Sequence, residues 1–282
     1  MSLQSVGIAV RLLDAVASLD EAGPSELARR LGVAKSTAHR TCGVLADAGL
    51  LRRIDGGRYR LGLRLVDLGA RAAHATDVGD HALGSLARLR AESGETVQVG
   101  VADGAEVVYV ERVEGLRALR VAADDRRRGP VHRSSVGKVL AAFVPGVLEA
   151  RLAAGLPPST GYTIAVPELF RAEVDAVARR GWARSIDETE LGMSSLAVPV
   201  RSGEALDAPV TAAISMVGPT PRIVGEHERR NLAALHRAAC EVGAAIGQGK
   251  YSFTSQPPRS RSGRPRAVGP GAGPGRSSAS PA

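Results

Sequence analysis

Residues 23–48 read Gly-Pro-Ser-Glu-Leu-Ala-Arg-Arg-Leu-Gly-Val-Ala-Lys-Ser-Thr-Ala-His-Arg-Thr-Cys-Gly-Val-Leu-Ala-Asp-Ala. The pattern is helix, tight turn, helix. Gly23-Pro24 suits a helix start, because proline at the first helical position gives up an amide hydrogen that would be orphaned there anyway. Leu27, Ala28 and Leu31 fall on one face at helical spacing, and Gly32 supplies the freedom to turn. A second helix starts near Lys35 or Ser36, with Ala38, Cys42 and Leu45 inward. Its outward residues, Lys35, Ser36, Thr37, His39 and Arg40, are the cations and hydroxyls expected of a DNA-reading helix. Gly43 inside it costs roughly 1 kcal/mol relative to alanine.

Working outward, residues 5–19 place Ala9, Leu12, Leu13, Val16 and Leu19 at helical spacing, which predicts a helix packed beneath the other two. Leu50 to Ile54 and Arg58 to Leu61 flank Asp55-Gly56-Gly57, a hairpin signal. Three helices closed by a basic hairpin make a winged helix-turn-helix. Arg52, Arg53, Arg58 and Arg60 are then expected to meet phosphates or an adjacent minor groove, while Ser36, Thr37, His39 and Arg40 reach base edges. Residues 63–75 carry a further helical pattern that predicts a connecting helix.

The 282-residue length allows two domains. Aromatics make up only 3% of the chain, so its core is expected to be Leu, Val and Ala. The net charge of +8 points to a polyanionic partner. Five of those charges are arginines of the tail (Arg259, Arg261, Arg264, Arg266, Arg276), in a Ser-, Pro- and Gly-rich segment without acids that is expected to be disordered. Cys42 and Cys240 have no partner at metal-ligand spacing and suggest no disulfide framework. No signal peptide or membrane-spanning apolar run is visible, so the expected location is the cytoplasm.

Beyond residue 80 the patterns alternate. A helix over 80–92 precedes strands at 96–101 and 106–113, turned by Asp103-Gly104. A loop over 124–133 bears Arg126, Arg127, Arg128 and His132, and Ser134-Ser135 opens a helix that runs through Phe143. Another helix covers 168–180, two apolar strands cover 194–200 and 209–216, and a long helix closes the domain over 226–246. The expectation is an α+β domain with an antiparallel sheet.

Several stretches together resemble the IclR family of bacterial transcriptional regulators. They are Leu31 to Arg40, Gly57-Arg58-Tyr59-Arg60-Leu61-Gly62, Glu106 to Val110, Val131-His132-Arg133-Ser134-Ser135-Val136-Gly137-Lys138, and Gly192 to Val200. The resemblance runs from about residue 3 to 247. It implies a winged-helix DNA-binding domain (1–62), a linker helix (63–79), a GAF-like effector-binding domain (80–250) and a basic tail (251–282). It also implies a homodimer or homotetramer on a pseudo-palindromic double-stranded DNA operator, acting as a repressor under a small metabolite such as an organic acid. Carried over residue by residue, the effector-binding candidates are His132, Ser134, Ser135, Gly137, Asp187, Glu188, Ser195, Leu196, Ala197 and Ser215. Helix-start amides near Ser134 favour an anionic group. Ser195 stands where many relatives have cysteine.

No catalytic constellation, metal site or cofactor motif emerges. Ser135-Val-Gly-Lys138 fits a short Ser-x-x-Lys pattern but lacks that motif's companion elements. Gly137-Lys138 is not a phosphate loop, because Val139 stands where a Ser or Thr would hold magnesium. The six histidines form no ligand pattern. Two alternatives to a ligand-responsive regulator stay open: a DNA-binding protein with a ligand-free C-terminal domain, and an enzyme whose winged helix serves only dimerisation.

Overall fold

A computed structural model describes residues 3–74, 78–116, 128–203, 205 and 207–253. The first unit is α1 (Leu3–Leu19), α2 (Pro24–Leu31) and α3 (Lys35–Asp47), followed by strands β1 (Leu51–Arg53) and β2 (Tyr59–Leu61). Gly32 takes φ 65°, so the turn between α2 and α3 uses the left-handed backbone that glycine adopts without a Cβ penalty. Leu12, Val16, Leu27, Cys42, Leu45, Leu51 and Tyr59 fill one core. Each fully buried leucine there contributes roughly 2 kcal/mol. The hairpin turns through a short 3-10 segment, Asp55–Gly57, and Tyr59 pairs back to Ala22, tying the wing to the start of α2.

Helix α4 (Arg64–His74) leads towards α5 (Val78–Ser93). The second unit is a six-stranded antiparallel sheet in the order β5-β4-β3-β8-β7-β6. Its strands are β3 (Thr96–Asp103), β4 (Glu106–Val113), β5 (Arg128–Pro130), β6 (Ala183–Ile186), β7 (Met193–Arg201) and β8 (Val210–Pro219). The interior strands β3, β7 and β8 are buried along most of their length, as their continuous apolar runs predict.

Two cores sandwich this sheet. On one face, α5 and α10 (Glu228–Phe253) pack Leu86, Leu89, Leu235, Val242 and Ile246 against Val97, Val99, Leu196, Val198, Ile214 and Met216. On the other, α6 (Ser135–Phe143), α7 (Val147–Ala153) and α8 (Pro167–Arg180) enclose Val107, Val136, Leu140, Phe170, Val177, Ala197 and Ala213. A short α9 (Thr220–Ile223) links β8 to α10.

The structure departs from the sequence expectation in three respects. Part of the anticipated loop over 124–133 is the edge strand β5 followed by a 3-10 turn, Val131–Arg133; residues 124–127 lie outside the described residues. Strand β6 and helices α7 and α9 were not anticipated, being short segments with little periodic signal. The closing helix starts at Glu228 and runs to Phe253, into the segment expected to be disordered tail. The rest of that tail, 254–282, lies outside the described residues.

Candidate DNA-reading surface and effector site

Helix α3 presents Lys35, Ser36, His39 and Arg40 as exposed side chains, with Thr37 half-buried behind them. Their exposure follows from the burial of Ala38, Cys42 and Leu45 on the opposite face. The helix starts at Ala34 without a side-chain cap. Among the described residues the Lys35 and Ser36 amides have no backbone acceptor and can face an anion, the usual property of an open helix start, while the Thr37 N–H donates to the Ala34 carbonyl.

The wing arginines divide by partner. Arg53 donates from Nη2 to the Tyr59 hydroxyl at 2.9 Å and lies over that ring, 5.5 Å from its centroid. Arg58 and Arg60 both pair with Glu21, each at 2.7 Å. Arg52 is exposed and joins no ion pair among the described residues. The sequence expectation places all four on phosphates or an adjacent minor groove. Three of them also have intramolecular partners, and Glu21, 37 residues from Arg58, gave no local signal of its role. Both Glu21 pairs are solvent-exposed and weak, so a phosphate can displace them.

The ten effector candidates also separate. Ser134 caps α6 by accepting from the Gly137 N–H at 3.0 Å. Ser135 donates to Ser195 Oγ at 2.8 Å, joining α6 to β7. Ser195, Ala197 and Ser215 lie on the sheet face beneath α6, because Ala197 belongs to that core and strand residues alternate in face. Ser215 Oγ is buried with no hydrogen-bond partner among the described residues.

Leu196 corrects the expectation. It lies on the opposite face, packed with Val198 and Ile214 in the core under α5 and α10, so its side chain cannot share a site with its neighbours. The remaining four candidates all make contacts within the fold. His132 is fully buried, places Nε2 3.1 Å from the Pro157 carbonyl and meets Phe170 edge-on. Burial lowers its pKa to about 4. The neutral ring therefore carries its proton on Nε2. Gly137 allows α6 to cross the Val131 backbone, where a Cβ would sit 2.0 Å from the Val131 oxygen. Asp187, at φ 57°, accepts from the Gly192 N–H and the Thr220 hydroxyl.

Glu188 accepts from Lys138 Nζ at 2.5 Å, and Lys138 also donates to the Arg184 carbonyl. Burial pushes the Glu188 carboxyl above the usual glutamate range, against the pull of Lys138. The ammonium of the Ser-x-x-Lys pattern thus faces a carboxylate, and Ser135 faces another serine. Among the described residues no group of three His, Cys, Asp or Glu side chains could hold a metal. No helix among them is long and apolar enough to cross a membrane. A cleft of about 590 Å³ at the end of β7 against α10, lined by Arg201, His236 and Cys240, contains none of the candidates.

Residues absent from the expectation stand near the hydroxyls. Tyr109 on β4 neighbours Ser134, and burial raises its phenol pKa against the weaker pulls of Ser134 and Arg112. Gln98 and Arg112 flank it across β3 and β4.

A winged helix-turn-helix joined through a linker helix to a two-cored antiparallel sheet is the architecture of a two-domain transcriptional regulator. Residues 5–55 match the IclR helix-turn-helix domain and residues 70–244 match the bacterial transcriptional regulator IclR C-terminal domain. The chain belongs to the IclR family of transcriptional regulators. It is 31% identical to the HTH-type transcriptional regulator XynR of Escherichia coli, over 87% of this chain and 98% of that protein. It is also 31% identical to the glycerol operon regulatory protein of Streptomyces coelicolor, over 81% of this chain and 90% of the relative. Among solved structures, an IclR homolog from Microbacterium hydrocarbonoxydans complexed with 4-hydroxybenzoate superposes with a TM-score of 0.74. The two chains are 29% identical, over 86% of this one and 98% of that one.

Proposed function

We propose that this chain is a sequence-specific DNA-binding repressor that works as a homo-oligomer and is controlled by a small metabolite bound beneath α6. The observation that carries the DNA half is α3. Lys35, Ser36, His39 and Arg40 are exposed together at its start, and none is committed to an ion pair among the described residues. Cations and hydroxyls left free on the first turns of a helix that follows a tight turn fit the major groove. Arg52 adds phosphate contact, joined by Arg58 and Arg60 once Glu21 releases them.

The effector half is supported by the α6 start, the Ser135–Ser195 hydroxyl pair and the unpartnered Ser215 hydroxyl. A few polar groups in an aliphatic surround orient a small ligand. Control is linkage: a ligand that binds one quaternary arrangement more tightly shifts the spacing of paired α3 helices.

The test is a binding titration against DNA from upstream of the protein's own coding sequence, with scrambled DNA as competitor, repeated with pooled metabolites. Preference for the native segment, changed by one of the pools, is the expected result. Arg40→Ala should weaken specific binding more than non-specific binding, by roughly 1–3 kcal/mol. Equal losses on both DNAs would refute base reading by Arg40.

A further inference from the structure

One row of polar side chains crosses the sheet without a use in the fold. Arg112 on β4 pairs in register with Gln98 on β3, Gln98 with Ser215 on β8, and Ser215 with Ala197 on β7. Cross-strand partners share a face, and Ala197 lies in the core beneath α6, so the row faces α6. Ser195 stands one row further along, in register with Val217. A bulge between Val99 and Gly100 permits this alignment, since Val113 beside Arg112 packs into the opposite core.

Gln98 is 8% exposed, Ser215 is fully buried and Arg112 is half-buried. Ser215 Oγ and Arg112 Nε are both buried with no hydrogen-bond partner among the described residues. Arg112 joins no ion pair there either. The adjacent Glu111 carboxylate accepts from the Arg112 backbone N–H at 2.9 Å. Dry polar atoms left unpaired are costly. Two of them in one row, beside the amino-terminal turn of α6, mark a place whose partner arrives from outside.

We infer that Arg112, Gln98 and Ser215 are the selectivity row of the effector site and that they hold a carboxylate of a small organic acid. This rests on the reading that the C-terminal domain binds an effector. The guanidinium fork matches a planar carboxylate. The Gln98 amide and the Ser215 hydroxyl are further donors for its remaining lone pairs. One cation suits one carboxylate, whereas an uncharged polyol would leave the guanidinium unpaired.

Binding to the full chain is measured by calorimetry and thermal shift with benzoate, succinate and pyruvate. The comparison compounds are benzamide, succinamide, glycerol and inorganic phosphate. At least one acid is expected to bind saturably, about 10-fold or more tighter than its uncharged counterpart. Arg112→Gln should abolish that preference, while Arg112→Lys restores only part of it. Ligand-free Arg112→Gln should melt at or above the parent temperature, because an unpaired, partly dry charge is lost.

The inference is overturned if the acid preference survives Arg112→Gln, if the amides bind as well as the acids, or if only phosphate binds. A large drop in melting temperature of the ligand-free variant also overturns it, since that marks a structural arginine. If every acid fails while glycerol binds, the inference falls and the effector reading stands. If no compound changes melting or DNA binding, both fall.

Discussion

Replacing Lys138 by methionine breaks a buried ion pair and leaves Glu188 without its cation. Lys138 is 2% exposed and Glu188 is 6% exposed, so water cannot take the vacated place. Glu188 Oε2 has no hydrogen-bond partner among the described residues, and the substitution also strips the Arg184 carbonyl of a donor. Breaking such a pair costs about 3–5 kcal/mol near neutral pH. The cost depends on pH with a definite sign. Burial already raises the Glu188 pKa, and without Lys138 the opposing pull disappears. The folded variant then keeps a proton that the unfolded chain loses above about pH 4.3. Because the folded state binds more protons, stability falls by about 1.4 kcal/mol per pH unit above that point, until the folded pKa is reached. Because the parent's own Glu188 is already raised, the penalty relative to it should grow with pH above the parent's folded pKa, towards about 3–5 kcal/mol near neutral pH. Urea unfolding followed by tryptophan fluorescence reports it, because the single tryptophan, Trp182, directly precedes β6 and reads only the C-terminal domain. The double variant Lys138→Met/Glu188→Leu should recover most of the loss, since apolar residues can replace a buried pair at little cost. A loss independent of pH, or below about 1 kcal/mol at pH 7.5, would refute the reasoning.

His132, with its pKa lowered to about 4, should make the domain acid-labile with the opposite sign. The unfolded chain takes up a proton near pH 6.5 that the folded ring refuses, so stability falls by about 3 kcal/mol between pH 6.5 and 4. His132→Asn, compared with the parent in urea melts across that range, should flatten this part of the profile. Glu21→Gln should release Arg60 and loosen Arg58, which keeps its bond to the residue-21 carbonyl, raising affinity for any duplex DNA roughly 2- to 10-fold and steepening its salt dependence; an unchanged salt slope in competition titrations would show that neither arginine meets phosphate. Leu63 and Val66, 77% and 65% exposed on and beside α4, are expected to be covered by a second copy of the chain. Val66→Glu should then lower the mass measured by analytical ultracentrifugation to that of the monomer and weaken operator binding, and an unchanged mass would remove α4 from the interface.

The DNA-binding unit was legible because its signals are local. Apolar spacing, Gly32 and the Asp55-Gly56-Gly57 turn act within a few residues, and the structure realises each of them. Pairings across long separations were not legible, and Glu21 is the clear case. Leu196 departs from the expectation for a different reason. A matched stretch of strand carries residues for both faces, so Ser195-Leu196-Ala197 could never all line one site. His132, Gly137 and Asp187 stand in the matched segments because the backbone needs them there. Arg112 escaped notice because the bulge at Val99/Gly100 shifts the alternation of β4 relative to β3, and no sequence period registers such a shift.

The sheet that separates the two cores is also the route by which one could inform the other. Gln98 and Ser215 face α6, while their chain neighbours Val97, Val99, Ile214 and Met216 press on α5 and α10. Helix α5 follows α4, which leads from the winged helix. An occupant that tightens one side of these strands must therefore displace the other, because close-packed interiors transmit strain rather than absorb it. The partition would then act as a diaphragm. Trimming Val99 to alanine, on the side no ligand touches, should loosen that transmission: effector affinity would persist while the effector's influence on DNA affinity shrinks. Equal coupling in the trimmed protein would mean that the message travels around the sheet rather than through it.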